Sequence, residues 1–193
     1  MKIIPLSEGS FTIDKSKLFV PFDTAKDDLQ ARSARSLLVE VQPFVVVTSE
    51  DILLLHAGGI SHLNAQTKQY ELSFPAATYY VQRKEMDYAR EKGFPSYITE
   101  ELICLENAQN LVWLDGDGVI DGYIQYQLVG GHCPYHQVFR IVDGGETVFF
   151  GGDNAPQLQQ MKSRFIAEYD ADGKRAMELR QEWWQLGQAA NWQ

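Results

Sequence analysis

Residues 36–55 read SLLVEVQPFVVVTSEDILLL, a run of β-branched and apolar residues broken by Pro43 and by the turn-forming TSED. The pattern predicts two or three buried sheet strands. The first 35 residues hold shorter strand-like pieces, GSFTID and KLFVPF, and then a polar stretch, DTAKDDLQARSARS, that has no core pattern and reads as an exposed loop or cap. After Phe74-Pro75, the segment ATYYVQRKEMDYAREKG begins as a strand at residues 77–81 and turns helical up to a terminating Gly93. From Leu111 onward, NLVWLDGDGVIDGYIQYQLVGG and HQVFRIVDGGETVFFGGD alternate apolar strands with Asp-Gly and Gly-Gly turns, the second a hairpin signal. The C-terminal part is helical and splits at Asp172-Gly173, and its second helix sets Ala176, Leu179, Trp183 and Leu186 on one apolar stripe. Strands, a mixed unit, strands again and then helices predict an α/β sandwich whose sheets are covered by helices.

Composition sharpens this picture. At 193 residues and 45% hydrophobic content, the chain fits one domain, residues 1–193, with a core that needs no disulfides. A formal net charge of -9 disfavours a polyphosphate partner, so nucleic acid is not expected. The longest apolar runs, at residues 44–47 and 52–55, are too short for a bilayer, and MKIIPLSEGS has no cleavage-site pattern. Cytoplasmic residence is therefore expected. The two cysteines, Cys104 and Cys133, form neither a disulfide framework nor a paired zinc motif. Tyr79, Tyr97 and Trp113 would pack in the core or line an apolar pocket, and packing is the commoner fate. The Trp183-Trp184 pair and Trp192 are expected to pack within the domain, with a monomer or homodimer both open.

Candidate chemistry lies at the strand ends. Of the four histidines, three (His56, His132 and His136) sit in glycine- or proline-rich segments that close strands. His132 and His136 have helical spacing, but Pro134 between them makes a loop of GGHCPYHQVF. Asp153, in VFFGGDN, ends an apolar strand after two glycines, a placement that suits a metal ligand. Singly, each is weak, because Gly-Gly-Asp is often only a turn.

Together and in this order, the segments HAGGIS, GGHCPYHQVF and ETVFFGGDNAP resemble the metallo-β-lactamase-fold hydrolases over nearly the whole chain. HAGGIS is similar to the tail of that family's His-x-His-x-Asp-His-Ala-Gly-Gly motif, GGHCPYH to its Gly-His-Thr-Pro-Gly-His segment, and FFGGD to its strand ending in Gly-Asp. The resemblance implies an αββα sandwich of two mixed β-sheets flanked by helices, with a dizinc centre, for which iron and manganese are alternatives. It implies His56, His132 and Asp153 as metal ligands, Asp153 bridging both ions and serving catalysis, and His136 supporting its loop. Cys133 replaces the usual Thr and Tyr135 the usual Gly, and neither change touches a ligand. His62 lies beyond the motif.

The family pattern also marks what is missing: the Asp-Thr-Gly turn, the first His-x-His pair with its Asp, and the distal histidine. Leu55 runs straight into His56 where a helix and an interior strand are expected. Losing a buried strand strips paired backbone groups at a cost beyond the roughly 5–15 kcal/mol that stabilises a domain. The natural polypeptide is therefore expected to carry a segment between Leu55 and His56, and a tail, that this chain lacks. The implied function is a metal-dependent hydrolase that uses a metal-bound hydroxide on an ester, lactone, amide or related bond of a small molecule. The alternative is a catalytically inactive scaffold of this fold that binds a small ligand or a protein partner, because three of seven ligands hold metal poorly. An oxidoreductase on the same domain would need a second cofactor domain.

Overall fold

A computed structural model of the chain describes residues 1–5, 9–14, 36–41, 44–55, 60–93, 97–156, 158–161, 166–167 and 170–193. His56, the KLFVPF segment and the body of the polar stretch that follows it lie outside the described residues. The chain falls into two compact units, one formed by Met1–Leu55 with Val119–Gln193 and the other by His56–Gly118. The boundary between Leu55 and His56 coincides with the junction that departs from the family pattern.

In the first unit, β1 (Lys2–Pro5), β4 (Phe44–Val47) and β5 (Ile52–Leu55) make a three-stranded antiparallel sheet in the order β1-β4-β5. β2 (Gly9–Asp14) and β3 (Ser36–Val41) pair separately, in register from Gly9 with Val41 to Asp14 with Ser36. The expected strands of residues 36–55 are therefore all present. Burial differs from expectation at β5, where Leu55 is 8% exposed but Ile52 is 77% exposed and Leu54 39%. Among the described residues, β5 is an edge strand of its sheet.

The second sheet of this unit runs β10 (Gly118–Ile120), β11 (Ile124–Leu128), β12 (Gln137–Asp143), β13 (Glu146–Phe150) in that order. The β12–β13 hairpin turns at Gly144 and Gly145, with φ of 59° and 81°, the two positive values that its tight reversal requires. The two sheets are joined at their ends. Tyr123 donates its hydroxyl hydrogen to Asp51 at 2.5 Å, Ser49 bonds Asp143 through both its amide and its hydroxyl, and the Phe44 and Phe150 rings meet edge to face.

After the short α3 (Leu158–Met161), the last helix, α4 (Gly173–Ala190), starts where Asp172 accepts the Arg175 amide at 2.9 Å and stops at Asn191 in the left-handed region. Its buried residues are Ala176, Leu179, Arg180 and Trp183, and Leu179 and Trp183 pack with Val138 and Met161. The expected stripe thus ends one turn early, since Leu186 is 46% exposed. The chain folds back at this point: Trp192 stacks on Phe149, and Gln193 exchanges backbone hydrogen bonds with Thr147 and Phe149. Trp183, Trp184 and Trp192 are all used inside the unit.

The second unit holds the hairpin of β6 (Ser61–Leu63) and β7 (Tyr70–Leu72), and the parallel pair β8 (Tyr79–Gln82) and β9 (Leu111–Leu114). Between β8 and β9 lie α1 (Arg83–Lys92), which ends at Gly93 as expected, and α2 (Thr99–Glu106), for which the sequence carries only a weak pattern. Tyr79, Met86 and Leu105 form the core, with Trp113 and Leu72 against it. Tyr97 packs on Tyr88 and donates to Glu85. These aromatics take the packing role. The chain is of the α/β class expected, with several sheets and flanking helices. Among the described residues, no helix is long and apolar enough to cross a membrane.

Candidate metal centre

The segment between β11 and β12 is a loop, as Pro134 requires, and it closes on itself when Val129 donates to the His136 carbonyl at 2.8 Å and His136 donates to the Cys133 carbonyl at 3.2 Å. Gly130 and Gly131 make the reversal with φ of 69° and 96°. His136 pins this loop to the end of β13: its Nε2 lies 3.2 Å from the Gly151 carbonyl and its Nδ1 3.8 Å from the Cys133 sulfur. A carbonyl only accepts, so Nε2 donates there, and His136 supports the loop as its motif implies.

Asp153 sits in a 3-10 turn, Gly152–Asn154, immediately after β13. Its carboxylate is 64% exposed, whereas the neighbouring Asn154 is fully buried. The Asn154 amide reaches back to the histidine loop, where Oδ1 accepts the His132 backbone N–H at 2.7 Å and Nδ2 donates to the Gly130 carbonyl at 2.6 Å. The buried Arg180 in turn donates to the Asn154 carbonyl at 2.8 Å. Two segments far apart in sequence are thereby fixed against each other.

The result is that His132 Nε2 stands 3.6 Å from Asp153 Oδ2. Two donor atoms each about 2.1 Å from one ion at a near-tetrahedral angle are about 3.4 Å apart, so this spacing fits two ligands of a single zinc. The His132 side chain is 26% exposed, which leaves the site open to solvent. On its other side, His132 Nδ1 lies 3.0 Å from the carboxylate of Asp170, a side chain 3% exposed. Among the described residues, no three His, Cys, Asp or Glu side chains gather closely enough to hold an ion. His132 and Asp153 are thus brought together, and His56 lies outside the described residues. His62 is on β6, exposed and opposite Glu71.

Sequence reasoning missed Asp170, Asn154 and Arg180. Asn154 follows the Gly-Gly-Asp signal directly, and a polar residue there is a capping candidate. Nothing in sequence distinguishes Asp170 from the other acids of EYDADG, and Arg180 lies on the helix stripe only because 180 is four residues after 176.

Neither a protein-family model nor a curated protein matches the chain. Solved structures do. A probable metal-dependent hydrolase from Staphylococcus aureus matches with a TM-score of 0.78 at 14% identity, over 99% of this chain and 86% of that one. The hydrolase AbOPH, of the beta-lactamase superfamily, matches with a TM-score of 0.71 at 17% identity, over 98% of this chain and 84% of that one. AidC, a dizinc quorum-quenching lactonase, matches with a TM-score of 0.66 at 16% identity, over 97% of this chain and 84% of that one. At these identities the likeness shows the fold alone, and the chain has a metallo-β-lactamase-like α/β fold.

Proposed function

We propose that the chain is a metal-dependent hydrolase of a small molecule, acting on an ester, lactone, amide or related bond at a centre that contains His132 and Asp153. One observation carries the reading: His132 Nε2 and Asp153 Oδ2 converge to 3.6 Å at the ends of β11 and β13, an approach suited to shared binding of one ion. The structural neighbours are metal-dependent hydrolases and lactonases, which supports the class.

A zinc ion held between the two side chains would supply a Lewis acid that polarises the scissile group and makes water acidic near neutral pH. His132 contributes an imidazole nitrogen fixed by its loop, and Asp153 a carboxylate open to solvent, where substrate arrives. Asn154 and Arg180 keep the two from drifting apart. No Gly-x-Ser-x-Gly elbow is present, so the chemistry is assigned to activated water and to no side-chain nucleophile. A lactone is the substrate class to try first, since AidC is named as a lactonase. The net charge of -9 disfavours polyanionic substrates.

The test is hydrolysis of N-hexanoyl-homoserine lactone and of a nitrophenyl ester with added zinc, with a chelator, and after zinc is restored. Zinc-dependent turnover that drops at least about 100-fold in His132→Ala is expected, the usual scale for a residue at the reacting centre. Turnover indifferent to zinc and to His132 contradicts the reading.

The ligand count favours a second reading, a scaffold without catalysis, because a catalytic zinc normally has about three protein ligands and the described residues bring together two. A scaffold would purify without stoichiometric metal and would gain no stability from added zinc.

A further inference from the structure

His132 is held from behind by a group that the hydrolase reading does not use. Its Nδ1 lies 3.0 Å from Oδ1 of Asp170, whose side chain is 3% exposed. Oδ2 of the same carboxylate accepts the Ala167 backbone N–H at 3.3 Å, and Ala167 is itself buried. The segment is also joined to the histidine loop: Ala171 donates to the His132 carbonyl at 3.0 Å, and Asp172 to the Gly131 carbonyl at 2.8 Å.

A carboxylate is almost never this buried without partners, because desolvation of its charge is costly. Here the imidazole is a principal partner. An ionised carboxylate only accepts hydrogen bonds, so the ring nitrogen facing it bears the hydrogen. The other nitrogen, Nε2, then keeps its lone pair, and Nε2 is the atom 3.6 Å from Asp153.

We infer that Asp170 is a positioning residue: its buried carboxylate holds His132 as the Nδ1–H tautomer and turns the Nε2 lone pair toward Asp153, preparing His132 to bind a divalent cation. The inference rests on the proposed metal centre for its consequence, and on the hydrogen bonds alone for its geometry. A carboxylate behind a ligating imidazole raises the basicity of the ring and fixes its orientation, and removing one typically weakens metal binding about 10- to 100-fold.

Two readouts test it in the full-length chain. The tautomer of His132, read by nitrogen-15 NMR of the metal-free protein, should be Nδ1–H in the wild type and should shift toward Nε2–H in Asp170→Ala. Zinc affinity, read by competition with a chromophoric chelator, should weaken about 10- to 100-fold in Asp170→Ala and be partly restored in Asp170→Glu. Wild-type His132 in the Nε2–H form overturns the inference without recourse to any variant, so a misfolded Asp170→Ala leaves it open to refutation. Zinc affinity unchanged in a folded Asp170→Ala, with His132→Ala abolishing binding, also overturns it while sparing the metal centre. An Nδ1–H wild type that shifts in Asp170→Ala, yet binds no zinc, supports the positioning role and removes the hydrolase reading.

Discussion

Asn154 accepts the backbone N–H of His132 at 2.7 Å, and so ties the histidine loop to the turn that presents Asp153. The same amide donates to the Gly130 carbonyl, which leaves both of its polar atoms engaged in a fully buried position. Asn154→Ala takes this partner from the part-buried His132 amide and Gly130 carbonyl, and should lower unfolding free energy by about 2–6 kcal/mol, about 1–3 for each group. Urea denaturation measures it.

Gly131 belongs to the same junction. A Cβ there would lie 2.4 Å from Asn154 Oδ1, on a backbone with φ of 96°. Gly144 has a positive φ too, but open space around it. Gly131→Ala should therefore destabilise well beyond the about 1–2 kcal/mol that left-handed backbone alone costs an alanine, while Gly144→Ala should stay near that figure. Equal midpoints for the two variants would show that the Asn154 contact does not constrain the loop.

The exposed end of α4 gives a second contrast. Leu179 is 3% exposed and packs with Val138, Met161 and Trp183, whereas Leu186 is 46% exposed. Leu179→Ala should cost about 2–5 kcal/mol. Leu186→Ala should stay within about 0.5 kcal/mol, the range of ordinary surface changes. Thermal unfolding of both variants separates them.

That contrast shows where sequence was legible. The two or three strands of residues 36–55, the strand and helix ending at Gly93, and the Gly144-Gly145 hairpin were readable, because each depends on local patterning and turn chemistry. Leu186 was misjudged because periodicity extends a stripe without knowing where a neighbour stops covering it, and here Trp192 folds back beside Gly187. Ile52 and Leu54 were misjudged for a related reason, since a run of apolar residues does not reveal whether a partner strand is present. His132 and Asp153 were legible through their resemblance to family segments. Asp170 was not, because its role arises from a contact 38 positions away in sequence.

Among the described residues, β5 pairs on one side only, with β4. An apolar edge strand invites pairing with other chains, and Ile52 is 77% exposed on it. Ile52→Lys should raise the concentration at which the protein begins to associate, with unfolding free energy changed by no more than about 0.5 kcal/mol. Light scattering against concentration tests this, and unchanged association would place the sticky surface elsewhere.

Alkaline pH probes the link between the sheets of the first unit. Burial, together with the hydrogen bond to Asp51, pushes the Tyr123 hydroxyl up to about 12. An unfolded tyrosine ionises near 10, so the stabilising contribution is full below about pH 10 and is lost as pH rises through about 12. Tyr123→Phe should be less stable near neutrality by about 1 kcal/mol, since Asp51 and Thr48 each lose a partner. It should also lose less stability than the wild type between pH 8 and about pH 11. Parallel losses in the two proteins would contradict this linkage.

The most direct test of a metal centre at His132 and Asp153 is zinc binding by the chain, measured by elemental analysis after equilibrium dialysis of the wild type, His132→Ala and Asp153→Asn. Zinc should bind to the wild type and be lost or weakened by at least about 10-fold in each variant, the scale expected when a ligand is removed. A wild type that takes up no zinc, or one whose zinc is indifferent to both substitutions, would contradict a metal centre built on His132 and Asp153.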